Sequence, residues 1–243
     1  MLFRSINKSG KVWEISEDGK TLIQPLSAIK GVGDAAIKEI LDHRPFKTIE
    51  EFLFHPRVSY SKLNKKNVDA LCRSEALLSL MDSRFTGGKH FWSAVAVDRP
   101  RKPDNLNQNI KTYAAEGEFT RDEKILNTLE LTGVYPINMI VSEDVQKKLA
   151  EKMIPPLGEF DQELGICWFI PKNIEKKTTK KGSQYLIVEA IDETNIVTKI
   201  KCWKFDPKKD VIHLNHPYVA RLEYQEDWGF SVRSINKAFK LIG

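Results

Sequence analysis

The chain has 243 residues, 41% of them hydrophobic and 29% charged, which fits one large or two small globular domains with length enough for a real core. Its formal net charge is +5, from 38 basic and 33 acidic side chains. That balance permits a nucleic-acid partner but excludes a blanket polycation, so any basic surface must be locally arranged. No apolar run approaches the length of a membrane span, and the opening MLFRSINKSG lacks the apolar stretch of a signal peptide, so a cytoplasmic location without a membrane partner is expected. Cys72, Cys167 and Cys202 are odd in number and widely spaced, which predicts reduced core cysteines and neither a disulfide framework nor a zinc knuckle.

In chain order, Lys11 to Ile15 alternates, Glu17-Asp18-Gly19-Lys20 reads as a turn, and Thr21 to Gln24 resumes, which predicts a short strand pair. The period then becomes helical. Leu26, Ile29 and Val32 lead into Ala36, Ile37, Ile40 and Leu41, interrupted at Gly31-Val32-Gly33. Thr48 with Glu51 opens a helix containing Phe52 and Leu53. A further helical stretch carries Val68, Leu71, Cys72, Leu77 and Leu80, with Asn64 or Asn67 as its cap. Residues 86–128 hold Gly87-Gly88, Pro100, Pro103 and a polar run, and are expected to be a linker anchored by Phe91-Trp92. A small helical connector, 129–163, includes a helix from Glu143 to Met153.

From Leu164 onward the period is 2, with strands expected around Ile166–Ile170, Tyr185–Ile191, Ile196–Phe205, Tyr218–Tyr224 and Phe230–Ile235, and an irregular or helical crossing from Pro207 to Pro217. Five strands with a longer connection between the third and fourth match an OB-fold barrel, although other small five-stranded barrels share that spacing. The expected architecture is α+β and multi-domain: a strand pair and tandem helix–hairpin–helix module over 1–85, the linker over 86–128, the connector over 129–163, and an OB-fold over 164–243.

Gly31-Val32-Gly33 between two helical stretches carries the sharpest chemistry. One glycine relaxes a tight turn. The other lets a foreign group approach the backbone, and the helix starting near Asp34 offers unpaired N–H groups and the positive end of its dipole. One phosphate oxygen suits that site, with Lys30 and Lys38 adding charge at its edges and Val32 and Ala35 completing the turn. Such a grip reads no base sequence. The alternative is a plain helix–helix turn, and Asp34 puts a negative charge beside the site unless it caps the helix. Ser61 to Asn67, with Lys62, Lys65 and Lys66, is a second candidate phosphate site without glycine; a solvated helix face is its alternative.

On the barrel, alternation sends Leu186, Val188, Ala190, Ile200 and Cys202 inward. It leaves Tyr185, Ile187, Glu189, Lys199, Lys201 and Trp203 outward. Lys176, Lys177, Lys180 and Lys181 crowd the first hairpin and Trp228 sits in the last. Lysines interleaved with aromatics fit base stacking and phosphate attraction along a single strand, with Lys180, Lys181, Tyr185, Lys199, Lys201, Trp203 and Trp228 as the contacts. Alternatively, Trp203 closes a barrel end and the lysines keep the edge soluble. No catalytic motif is legible: there is no phosphate-binding glycine loop with Lys-Ser/Thr, no paired metal-binding aspartates and no HExxH, while His213 and His216 lack a third ligand, so no cofactor or metal is expected.

Leu26-Ser27-Ala28-Ile29-Lys30-Gly31-Val32-Gly33 resembles the signature of the C-family bacterial replicative DNA polymerases, the alpha subunit of polymerase III. Asn64-Lys65-Lys66 through Leu71, Ser74-Glu75-Ala76-Leu77 and Arg84 are similar to that family's next conserved stretch, with Glu75 where glycine is usual. Leu131-Thr132-Gly133-Val134-Tyr135-Pro136 resembles the element before its OB-fold, and Thr178-Thr179-Lys180-Lys181-Gly182 with Asp192 resemble two turns within it. The resemblance implies a module that holds duplex DNA and an OB-fold near single-stranded template, hence primer–template as ligand. It also implies that the palm with its catalytic aspartates lies upstream, so that this part does not polymerise alone and a catalytic polymerase chain is its partner. Either a piece of a longer chain or a separate polypeptide completing a split polymerase would fit, with Met1 favouring the second, in a bacterial or phage-infected cell. A sliding clamp or clamp loader is a further candidate partner, although Gln108 is followed by Lys111-Thr112 where the family's clamp peptide has an apolar pair. The competing readings are a replication scaffold that binds proteins through the barrel and the segment around Trp92, and a stand-alone single-stranded-DNA-binding protein.

Overall fold

The computed structural model describes residues 2–206 and 209–242, which fall into two units, Met1–Tyr135 and Pro136–Gly243. Among the described residues no helix is long and apolar enough to cross a membrane.

The first unit opens on three short strands, β1 (Leu2–Phe3), β2 (Glu14–Ile15) and β3 (Leu22–Ile23). The hairpin β2–β3 turns at Gly19, where φ is +69°, and β1 adds to β3 in parallel. After Pro25 the chain makes only one 3₁₀ turn, Leu26–Ala28, where the sequence pattern predicts a helix. Five residues between Pro25 and Gly31 leave no room for more. Then come α1 (Asp34–His43), α2 (Ile49–Phe54) and α3 (Lys65–Arg73). Thr48 caps α2 by accepting from the Glu51 amide, as its spacing predicts. Asn64 caps α3 in a reciprocal box with Asn67. Past α3 the chain reverses at Glu75, whose φ of +65° is the left-handed region that glycine enters without strain.

Residues 86–128 depart from the expected linker. They form α4 (Gly88–Trp92), which runs on as a π-helical turn (Ser93–Val97), then α5 (Pro103–Thr112) and α6, which extends to Thr132 (Arg121–Thr132). Phe91, Ala94, Val95, Ala96 and Leu106 sit in the same core as Ile37, Phe52, Leu71 and Leu77. The misreading has a physical cause: α5 buries little beyond Leu106 and Asn109, so its sequence is almost wholly polar. Asn109 repays its burial by donating to the carbonyls of Ala94 and Asp98, which the π-helical turn leaves open. Thr120 and Glu123 make the capping box of α6, and Gly133 ends it in the left-handed region.

The second unit begins with α7 (Ile137–Ile140) and α8 (Glu143–Glu151), so the segment expected as a separate connector is shared between the two units. The strands are β4 (Ile166–Thr178), β5 (Gln184–Ile191), β6 (Thr198–Cys202), β7 (Tyr218–Arg221), β8 (Glu223–Gln225) and β9 (Gly229–Val232). A short helix α9 (Ile235–Ala238) leads to β10 (Phe239–Leu241). One sheet contains seven of them in the order β10-β7-β4-β5-β6-β9-β8. Two strands exceed the expected five. The expected fourth strand is divided at Leu222 into β7 and β8, and β10 is additional. The division explains the curl. One continuous run, 218–225, pairs through β7 with the start of β4 and through β8 with β9, so it touches both flanks of the sheet. Strand β4 bends for this at an irregularity between Pro171 and Asn173, and β6 pairs with β9 in parallel. The result is the α+β architecture expected, a helical module followed by a barrel-like OB sheet. Of the predicted crossing, Pro207 and Lys208 lie outside the described residues; 209–217 is irregular.

Within the barrel Cys167, Phe169, Leu186, Val188, Ala190, Ile200 and Cys202 are buried, which matches the alternation on β5 and β6. All three cysteines are buried thiols, and burial pushes those of Cys167 and Cys202 up to about 12. Asp192 is also buried. Its Oδ2 accepts from the Gly158 amide at 2.6 Å, and its Oδ1 from the Thr194 amide and hydroxyl at 2.8 and 2.6 Å. An asparagine keeps one of those acceptor oxygens and turns an amide toward the other donor. Asp192→Asn is therefore expected to lower unfolding stability by about 2 kcal/mol, read from urea midpoints; an unchanged midpoint would show that the carboxylate is not needed to hold the 157–159 turn.

Candidate nucleic-acid interface

Gly31 and Gly33 do different work. Gly31 has φ +95°, and a Cβ there would lie 3.5 Å from Ala70 Cβ and 3.7 Å from Lys66 Cε. The turn itself therefore calls for glycine. Gly33 is the N-cap of α1 with ordinary extended dihedrals (φ −82°, ψ 167°), and a Cβ there would meet nothing within 4 Å. Its carbonyl accepts from the Ala36 and Ile37 amides, no side chain caps the helix, and Asp34 and Ala35 are exposed residues whose N–H groups, at the helix start, have no intrahelical acceptor. Val32, by contrast, is buried and anchors the turn.

The second candidate segment lies against this turn. Asn67 Nδ2 donates to the Gly31 carbonyl at 2.7 Å, which sets the start of α3 beside the glycine turn. Lys65 and Lys66 are exposed there and have no ion-pair partner among the described residues. Lys30 is exposed at the entry to the turn, and its amide donates to Leu131 O at the end of α6. Two of the nominated lysines are engaged elsewhere. Lys38 pairs with Asp42 along α1 at 2.6 Å, and Lys62 pairs with the buried Glu39 at 3.0 Å. Asp34 is exposed at the first position of α1 and caps nothing by side chain.

On the barrel, Tyr185 and Trp203 are half-buried on the outer face with ring centroids 5.0 Å apart. Two residues back on β6, Lys201 Nζ lies 5.2 Å from the Trp228 ring and donates to the Trp228 carbonyl at 3.0 Å. Tyr185, Trp203, Lys201 and Trp228 thus make one row of ring, ring, cation and ring. The neighbouring rows are less basic than the sequence suggests. Lys199 lies 3.6 Å from Glu189, and Lys177 is bonded to Glu175. Lys180 and Lys181 are exposed in the β4–β5 turn. His213 and His216 have ring centroids 5.7 Å apart, and no group of three potential metal ligands occurs among the described residues.

Residues 2–86 match the family model described as the helix-hairpin-helix motif. The chain is 27% identical over 181 residues to the DNA polymerase III subunit alpha of Helicobacter pylori (strain ATCC 700392 / 26695), and 28% identical over 182 residues to that of strain J99 / ATCC 700824. Both alignments cover 72% of this chain and 14% of the relative. A third relative, from Pseudomonas fluorescens and of the same description, is 36% identical over 75 residues, 30% of this chain and 6% of its own length. Over most of its length the chain is thus similar to part of polymerase III alpha subunits. It spans about one seventh of the length of the first two relatives.

One cluster of the first unit escapes a reading by periodicity. Arg99 is buried with its guanidinium 3.9 Å from the centre of the Tyr60 ring, and it donates to the Leu63 carbonyl just before α3; Arg101 approaches the same ring at 5.4 Å. The Arg-Pro-Arg spelling is visible in the sequence, but its partner is some forty positions away. Trp92, expected as a binding anchor, instead bonds Asp69 of α3 through its indole N–H at 2.7 Å.

Glu39 holds the loop that carries the second segment. The Ser59 amide, then Lys62, keep its carboxyl below the usual range. The charged form is thus favoured by folding, so this stabilisation is present above the ordinary glutamate value near about pH 4.3 and is lost as pH falls through the lowered folded value. Glu39→Gln is expected to lower the urea midpoint at pH 6 and to flatten its fall between pH 6 and pH 3; parallel wild-type and variant profiles would remove Glu39 from the pH response.

Proposed function

We propose that the chain is the DNA-binding, non-catalytic part of a C-family replicative polymerase, holding duplex backbone at the glycine turn and single-stranded template on the barrel. The observation that carries the reading is Gly33. Nothing inside the protein requires glycine there, since its dihedrals are ordinary and its Cβ position is empty. What the missing side chain leaves is an open approach to the exposed amides of Asp34 and Ala35, beside Lys30, Lys65 and Lys66. A phosphate oxygen fits such a place: partial positive charge from the helix start and mobile ammonium groups at the rim, with the exposed Asp34 at its edge and Glu130 within electrostatic reach of Lys30. The similarity to polymerase III alpha subunits supports the same reading. On the barrel, the Tyr185–Trp203–Lys201–Trp228 row offers ring faces to unstacked bases and one cation between them. A separate or upstream catalytic chain is then the protein partner, and DNA synthesis belongs to that assembly.

The test is fluorescence anisotropy with single-stranded, duplex and primer–template DNA across a salt series. Gly33→Ala should keep the melting temperature and weaken duplex and primer–template binding. Replacing Lys65 and Lys66 together with glutamate should lower the salt slope by about 2, one released counterion per phosphate contact. Trp203→Ala should weaken the single strand by about 1–3 kcal/mol if one base stacks there. No binding to any DNA at low salt would overturn the reading and put the scaffold reading ahead.

A further inference from the structure

The barrel unit carries a groove of about 380 Å³ on a face that the aromatic row does not use. Its floor is aliphatic: Val145 and Leu149 from α8, Ile166 from β4, Val219 from β7 and Ile242 after β10. Most of these side chains are half-buried, so the face is apolar yet reachable. Lys148, Lys152 and Lys240 also line it. None of the three has an ion-pair partner among the described residues, in contrast to Lys177 and Lys199 on the stacking face. Helix α8 also bears Glu143, Asp144 and Glu151, and none of these lines the groove. An aliphatic trough of this size ringed by uncompensated ammonium groups selects against most ligands. A neutral apolar segment leaves the charges unmatched, and a basic one is repelled. Single-stranded nucleic acid would satisfy the lysines but find no aromatic platform for its bases, since no Tyr, Trp or Phe lines the groove. A short peptide that alternates aspartate or glutamate with aliphatic side chains satisfies both parts: its aliphatic groups fill the trough and its carboxylates reach the rim.

We infer that this groove is a docking site for an acidic peptide segment with aliphatic anchors, contributed by a protein partner. The binding is electrostatically steered and held by a few buried aliphatic contacts, which gives a salt-sensitive, rapidly exchanging contact. It is independent of the glycine turn and of the aromatic row, so it stands or falls separately from DNA binding.

The experiment uses the full chain and a fluorescein-labelled synthetic nonapeptide in which aspartate alternates with leucine and isoleucine. Companion peptides carry lysine for aspartate, or serine for the aliphatic residues, and oligothymidylate of nine nucleotides serves as the nucleic-acid probe. The acidic aliphatic peptide should bind, and the two companions should not. The double variant Lys148→Glu with Lys240→Glu should weaken binding by about tenfold or more without changing the circular dichroism, whereas Lys148→Arg with Lys240→Arg should retain it. Trp203→Ala should leave peptide binding unchanged. The inference is overturned by equal binding of the serine peptide, by displacement of the bound peptide by oligothymidylate in the Trp203→Ala chain, by an unaffected charge-reversal variant, or by no peptide binding at low salt.

Discussion

The helical unit depends on one buried asparagine. Asn67 accepts from the Asn64 amide, its own amide is taken by Asn64, and its side-chain N–H reaches back to the Gly31 carbonyl. That last bond joins a helix start to a turn 36 residues earlier in the chain. It fixes where α3 begins, and with it the positions of Lys65 and Lys66. A shorter polar side chain would not span the gap, and an apolar one would leave both the Gly31 carbonyl and the α3 start unsatisfied in a partly buried place. The chemistry of the turn, glycine and lysine, is thus arranged by a residue that itself faces inward.

The barrel is governed by a different constraint, the division of one extended run at Leu222. The buried Leu222 side chain and its amide, which donates to Gly165 O, hold the corner between β7 and β8. Because one run serves both flanks of the sheet, β5 and β6 are pushed to the outer curve with partners on both edges. Their outward rows then carry Tyr185, Lys201 and Trp203 on a rigid surface, where side chains hold fixed spacing.

Much of this was legible in the sequence because it rests on local periodicity. Alternation assigns the inward and outward residues of β5 and β6 as far as Ala190, and the caps at Thr48 and Asn64 lie where short-range spacing puts them. The glycine turn is equally local. What periodicity could not show is whatever depends on distant partners. The polar α5 looks like a loop because its one buried polar residue, Asn109, is justified by two carbonyls on another helix. The split of the fourth strand is invisible because Leu222 continues the apolar pattern across the corner. Lys38 and Lys62 look identical to Lys65 and Lys66 until Asp42 and Glu39 are seen beside them. The C-terminal strand β10 is too short and too mixed to announce itself.

The same distinction explains how a net charge of only +5 can define separate surfaces. Exposed ion pairs contribute little to stability, but they cancel the field that a lysine would otherwise present. Where a carboxylate stands next to a lysine, as at Glu175 and Glu189 on the barrel or Asp42 on α1, the surface is locally neutral. Where none does, at Lys65 and Lys66 and again at Lys148, Lys152 and Lys240, the same residue type is an open positive site. The first group stands beside the start of α1, where a phosphate is proposed; the second stands beside aliphatic side chains, where a carboxylate carried on an apolar segment is proposed. The ligand class follows from the uncharged neighbours of each lysine group, because charge alone does not distinguish one anion from another.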